Sequence, residues 1–115
     1  HDERVGLPDD WVRCIERVGD TLYVGTFVGG LAWYENGKWK TADELSGQEV
    51  TAIAPSRDGV LIATRTALWR RSADGNLERL KHGLAGLIDE AQALLPAGHG
   101  TWVGARTGLY YMGEP

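Results

Sequence analysis

The sequence predicts an all-β chain: a β-propeller segment of nearly three four-stranded antiparallel blades, and hence an incomplete ring. Three observations lead there. Glycine is abundant, 16 of 115 residues, and falls between short apolar runs, so the chain reads as many short strands joined by tight turns. The stretch TLYVGTFVGGLAWY at 21–34 returns as VLIATRTALWRR at 60–71 and as TWVGARTGLYYM at 101–112. An upstream block, VRCIERV at 12–18, returns as VTAIAPS at 50–56 and AQALLPA at 91–97. Offsets of 38 and then 41 residues relate Val12, Val50 and Ala91, and the same offsets relate Gly25, Ala63 and Gly104. Two separate segments sharing one pair of offsets define a repeat of about 40 residues, the period of a propeller blade.

Each repeat resolves into strands in a fixed order. The upstream block is the first strand, closed by a turn at GD (19–20), RDG (57–59) or AGHG (97–100). The second strand, TLYVGT or its equivalent, leads through FVGG, RTA or RTG into the third, LAWY, LWRR or LYYM. A turn at ENG (35–37) or ADG (73–75) then opens the fourth, KWKTA or NLERL. Asn-Gly and Asp-Gly are strong hairpin signals because both residue types tolerate positive φ. The third copy stops after GLYYM, so the blades run approximately 12–49, 50–89 and 90–115, the last without its outer strand.

Residue size within the repeat indicates packing. Gly25, Ala63 and Gly104 mark a crowded strand position facing a neighbouring blade. Leu31, Leu68 and Leu109 are expected to form the apolar layer between blades. Cys14 falls in register with Ala52 and Ala93, which makes it a small buried packing residue and not a nucleophile. Trp33, Trp39, Trp69, Trp102, Tyr23, Tyr34, Tyr110 and Tyr111 lie on strands and are expected to fill the blade interfaces. Trp11 opens a strand in a linker, where exposure and burial are both open.

Composition excludes several function classes. With a net charge of −4 and no basic stripe, the chain is not expected to bind nucleic acid. No apolar run approaches the about 20 residues that span a bilayer as a helix, so no membrane span is expected in this chain. Cys14, His1, His82 and His99 are too scattered for a metal-ligand set, and neither metal nor cofactor is expected. A chain beginning at His1 is expected to be a processed product or a piece of a longer one.

The pattern V-x-x-I … DG … LYVGT-x-x-GGL-x-x-Y resembles the blade repeat of two-component regulator propellers. GLPDDWVRCI at 6–15 is similar to the linker that enters a blade's inner strand in that family. The middle copy departs most, with Ala63 for one glycine and Ala67 for another. Such repeats build periplasmic sensor regions of bacterial hybrid histidine kinases. The resemblance implies a ligand-sensing or protein-interaction segment and suggests a periplasmic location. Propellers hold roughly four to eight blades. Fewer than three blades therefore require either the remaining blades of a larger chain or self-association to close the ring.

The second-to-third turns and the linkers emerge on one face of a meander. The turns place Phe27, Arg65 and Arg106 in register; the linkers place Asp10, Gln48 and Asp89, followed by Trp11, Glu49 and Glu90. In one reading this rim binds a small polar ligand, Arg65 and Arg106 gripping an anionic or sugar-like group through guanidinium forks. In the other, the charges neutralise one another on a solvated surface. The pairs Asp9–Asp10, Asp43–Glu44 and Asp89–Glu90 all lie in or near linkers, where acidic residues are ordinary, and no acid–base pair in one pocket is assignable. A non-catalytic module is expected. The alternatives are part of a propeller lyase or glycoside hydrolase, or a self-assembling scaffold whose rim binds another protein.

Overall fold

The computed structural model describes residues 12–57, 59–80 and 90–113. Among these residues the strands are β1 (Val12–Val18), β2 (Thr21–Thr26), β3 (Leu31–Glu35) and β4 (Lys38–Thr41), then β5 (Val50–Ser56), β6 (Gly59–Thr64), β7 (Leu68–Ser72) and β8 (Leu77–Leu80), then β9 (Ala91–Ala97), β10 (Gly100–Ala105) and β11 (Gly108–Gly113). They form three antiparallel meanders, β1-β2-β3-β4, β5-β6-β7-β8 and β9-β10-β11. The fold is an arc of propeller blades in which β1 packs on β5 and β5 on β9.

The turns obey local chemistry. Asn36 and Gly37 both carry positive φ, 53° and 77°, which is the two-residue type I′ geometry that matches strand twist between β3 and β4. The β2–β3 and β6–β7 turns share one device. Thr26 bonds the Gly30 carbonyl with both its amide (3.1 Å) and its hydroxyl (3.0 Å), and Thr64 does the same to Ala67 (2.9 and 3.3 Å). Both threonines are fully buried, so a hydroxyl without that acceptor would carry a desolvation cost.

Strand alternation gives each sheet a face toward the next sheet and a face toward the previous one. Tyr23, Leu31 and Trp33 of the first sheet meet Val50, Ile53, Val60 and Ile62 of the second in one buried cluster. Ala52, Ala63 and Leu68 of the second meet Ala91 and Val103 of the third in another. The first interface has a polar clasp as well: the Arg71 guanidinium lies 4.3 Å from the Trp33 ring centroid and donates to the Tyr23 hydroxyl at 3.0 Å. In the second interface the buried Thr51 hydroxyl sits within bonding distance of the Ala63 and Ala91 carbonyls, joining β5 to β9.

The small position is crowded for a specific reason. A Cβ built on Gly25 would lie 2.6 Å from Cys14 Sγ and 2.6 Å from Val50 Cγ1. The corresponding trio at the second interface is Ala63, Ala52 and Ala91, so the two interfaces fill the same space with different volumes. Gly30 is constrained twice, by a φ of 80° and by the Leu45 carbonyl, which occupies the space a Cβ would need. Leu45 closes a 3-10 turn (Asp43–Leu45) in the linker after β4 and is fully buried. The sequence pattern carried no signal for that turn.

Two expectations are corrected. Leu31 and Leu68 are 0% and 1% exposed, but Leu109 is 67% exposed and therefore does not lie between blades. Tyr34, Trp102 and Tyr111 are likewise exposed rather than filling an interface. The reason is positional: Leu109, Trp102 and Tyr111 belong to the outward face of the last sheet, and Tyr34 to that of the first. Among the described residues no sheet lies beyond either.

Candidate functional site

The inner strands carry a shared irregularity. In β1 the pairing with β2 skips from Val12 to Cys14, in β5 the pairing with β6 skips from Val50 to Ala52, and in β9 the pairing with β10 skips from Ala91 to Ala93. The unpaired residues are Arg13, Thr51 and Gln92. A β-bulge bends its strand and re-aims the extra side chain. Here Arg13 reaches Glu49 and the exposed Gln92, and Thr51 reaches the Ala91 carbonyl of the next sheet.

Around these bulges runs a ladder of alternating charge. Arg13 Nε donates to Glu49 at 3.3 Å, and its terminal nitrogen donates to the Gln92 side-chain oxygen at 3.3 Å. Arg65 lies 3.6 Å from Glu49 and donates to Glu90 at 3.2 Å. Arg106 lies 3.7 Å from Glu90. The order Arg13, Glu49, Arg65, Glu90, Arg106 thus crosses all three sheets. The Glu90 hydrogen bond holds the Arg65 guanidinium above its already high range, reinforced by the Glu90 and Glu49 charges. The glutamates are the more covered members, with side chains 20% and 28% exposed, against 55% and 65% for Arg65 and Arg106. Solvent therefore meets the guanidinium groups first, with carboxylate acceptors beneath.

Of the residues singled out from sequence, Glu49, Arg65, Glu90 and Arg106 are brought together. Phe27 stands at the corresponding turn of the first sheet, 40% exposed. Asp10, Trp11 and Asp89 lie outside the described residues, as do His82 and the Asp9–Asp10 pair. Arg13 and Gln92 were missed. Their repeat equivalent is the buried Thr51, and no residue type marks a bulge in advance. Glu90 has a φ of 51°, a left-handed conformation unusual for a residue with a side chain.

Other reactive groups offer little chemistry. The Cys14 thiol points at the Val50 carbonyl at 3.6 Å, and burial pushes it up to about 11, so the thiolate is suppressed at neutral pH. Asp43 and Glu44 sit exposed in the 3-10 turn, and His99 is exposed between β9 and β10. Among the described residues no group of His, Cys, Asp and Glu could hold a metal ion, and no helix is long and apolar enough to cross a membrane.

No family model and no curated protein matches the sequence. Solved structures do. The chain is similar to the extracellular domain of BT4673 from B. thetaiotaomicron, described as a one component system, with a TM-score of 0.76 and 26% identity over 95% of this chain and 16% of that one. A second structure of a BT4673 extracellular domain, described as a hybrid two component system, gives 0.77 and 25% over 98% of this chain and 16% of that one. The computationally designed Ika4 protein gives 0.65 and 18% over 89% of this chain and 66% of that one, a likeness of fold alone. The chain thus spans only 16% of the length of the sensor-system domains it matches. Its three sheets have the propeller fold of two-component regulator sensor domains, present as an incomplete ring.

Proposed function

We propose that the chain is a non-catalytic blade segment of an extracellular, sensor-type bacterial propeller, and that its rim ladder binds a sugar-like ligand. The observation that carries this reading is the alternation of donors and acceptors across three sheets. Exposed guanidinium groups at Arg65 and Arg106 offer forked N–H donors, and Glu49 and Glu90 accept. A simple anion would use only the donors and meet two carboxylates behind them. Vicinal hydroxyls donate and accept at once, so a polyhydroxylated ligand satisfies both rows. Phe27, at the matching turn of the first sheet, supplies an aromatic surface of the kind that covers a sugar ring. Likeness to extracellular sensor-system domains supports the setting, and the suppressed Cys14 thiol supports a binding role over covalent catalysis.

The test is calorimetry or saturation-transfer NMR with neutral and acidic oligosaccharides, on the wild type and on the Arg65→Ala/Arg106→Ala double variant. The expected result is binding by the wild type that the double variant loses. Oligosaccharide binding unchanged in the double variant dismisses the rim as the site.

A further inference from the structure

Glu90 joins an unfavourable backbone to a shared carboxylate. Its φ of 51° is left-handed, a conformation that glycine adopts freely and that is costly for most residues with a side chain. Its carboxylate is also where two arginines from different sheets converge. Oε1 accepts from Arg65 at 3.2 Å, and Oε2 lies 3.7 Å from Arg106 Nε. Place in the repeat does not demand the conformation. Glu49, 41 residues earlier, is the equivalent position, precedes a strand with the same bulge and likewise bridges two arginines, Arg13 and Arg65. Among the described residues, however, only Asn36 and Glu90 combine a side chain with a positive φ. In the linker before Glu49 the left-handed turn falls on Gly47, with a φ of 85°. The ion pairs do not offset the cost at Glu90 either. Both its arginines are more than half exposed, and pairs at such a surface add little to stability.

A backbone held in a sparsely populated conformation by its surroundings is characteristic of ligand sites, where it fixes side chains in advance. We propose that Glu90 is the positioning residue of the rim: its left-handed backbone aims one carboxylate between the second and third sheets, so that the Arg65 fork stands preset for a ligand. A guanidinium held at one edge keeps its other N–H donors in a fixed plane. A ligand then binds without first ordering a long, exposed side chain. This deepens the sugar-binding reading of the rim and rests on it: Glu90 sets the spacing of the donors that hydroxyls meet.

Three substitutions separate the backbone from the carboxylate. Glu90→Ala removes the carboxylate and keeps the costly φ, Glu90→Gly removes both, and Glu90→Gln keeps the shape without the charge. In urea unfolding the glycine variant is expected about 0.5 M above the alanine variant, and no lower than wild type. Nitrogen-15 NMR of the arginine side chains reads positioning with no ligand present. Rotation about the Arg65 Nε–Cζ bond is expected to be about threefold faster or more in the alanine and glycine variants, and intermediate in the glutamine variant. In the oligosaccharide titration the glycine variant is expected to bind about three- to tenfold more weakly, although it is no less stable. A glycine variant no more stable than the alanine variant, or less stable than wild type, overturns the proposal. So does Arg65 rotation that is equal in all four proteins. Binding that Arg65→Ala/Arg106→Ala abolishes but Glu90→Gly leaves unchanged keeps the rim as the site and overturns the positioning role. A wild type that binds no oligosaccharide sinks the sugar reading alone, and the two ligand-free measurements still decide for or against Glu90.

Discussion

Replacing Gly25 with alanine adds one methyl group at the tightest point between the first two sheets. The new Cβ would lie 2.6 Å from Cys14 Sγ, 2.6 Å from Val50 Cγ1 and 2.9 Å from Val50 Cβ. Ordinary contacts between such atoms are about 3.5–4.0 Å, so something must move by roughly 1 Å. Cys14 can turn its sulfur away only by giving up the Val50 carbonyl, and the branched Val50 side chain has few rotamers to choose from. Overpacking of this kind costs about 1–3 kcal/mol. The smaller conformational freedom of an unfolded alanine returns about 0.4–1 kcal/mol. A net loss of roughly 1–2 kcal/mol lowers the urea midpoint by about 1 M, given a slope of about 1–3 kcal/mol/M. Gly104, the repeat equivalent, is the control: its Cβ would meet nothing nearer than Ala93 Cβ at 3.7 Å, so Gly104→Ala should move stability by less than about 0.5 kcal/mol. Cys14→Ala with Val50→Ala recreates the Ala52 and Ala91 surroundings of Ala63, and in that background Gly25→Ala should cost little. The assay is urea unfolding followed by tryptophan fluorescence across the double-mutant cycle. Equal costs at both glycines, or no coupling between Gly25 and the Cys14/Val50 pair, would refute the crowding argument.

Cys14 should also leave an alkaline signature. Its folded-state value is raised from 9.0 to about 11 by burial, so its contribution to stability is whole below pH 9 and is lost as the pH climbs toward 11. Melting curves at pH 8 and 10.5 should show a larger fall for wild type than for Cys14→Ala; parallel falls count against it. Glu35 has the opposite sign. The Lys40 hydrogen bond lowers its value, so the pair stabilises above the ordinary 4.5 and fades in acid, and Glu35→Gln should remove that part of the acid sensitivity, read from urea midpoints at pH 7 and pH 3. Arg71→Ala removes both the contact with Trp33 and the bond to Tyr23, with an expected loss of about 1–2 kcal/mol in urea unfolding. Arg71→Lys keeps the charge without the planar stack, and a lysine variant as stable as wild type would show that stacking contributes nothing.

Most of the architecture could be read from residue order. VRCIERV was bounded at Val12 and Val18, and the Asn-Gly turn proved to be the positive-φ pair its chemistry implied. Alternation told which residues share a face, and the Gly, Ala, Gly series marked Gly25 as crowded. It marked Gly104 too, where a Cβ would meet nothing nearer than Ala93 at 3.7 Å because that face of the last sheet has no described neighbour. Leu109 was not legible in the same way. Repeat register assigns a residue its place within a blade, whereas burial depends on whether a neighbouring blade exists. The rim was half legible: Arg65, Arg106, Glu49 and Glu90 stood in register, but their pairing across sheets needed coordinates. Arg13 was invisible because the bulge that aims it belongs to strand pairing, and neither its type nor its neighbours announce one.

Those bulges have a consequence for how such a repeat can diversify. A bulge residue stands outside the regular pairing register, so replacing it need not disturb the strand's alignment with its neighbour. The three equivalent positions already differ in chemistry, with a long cation at Arg13, a short hydroxyl at Thr51 and an amide at Gln92. Thr51 is committed to joining two sheets, but positions 13 and 92 sit at the mouth of the arc with exposed or half-exposed side chains. A duplicated blade can therefore inherit the whole scaffold and acquire a new surface chemistry at that one position. A combinatorial library at positions 13 and 92 would sample different recognition surfaces at almost constant stability.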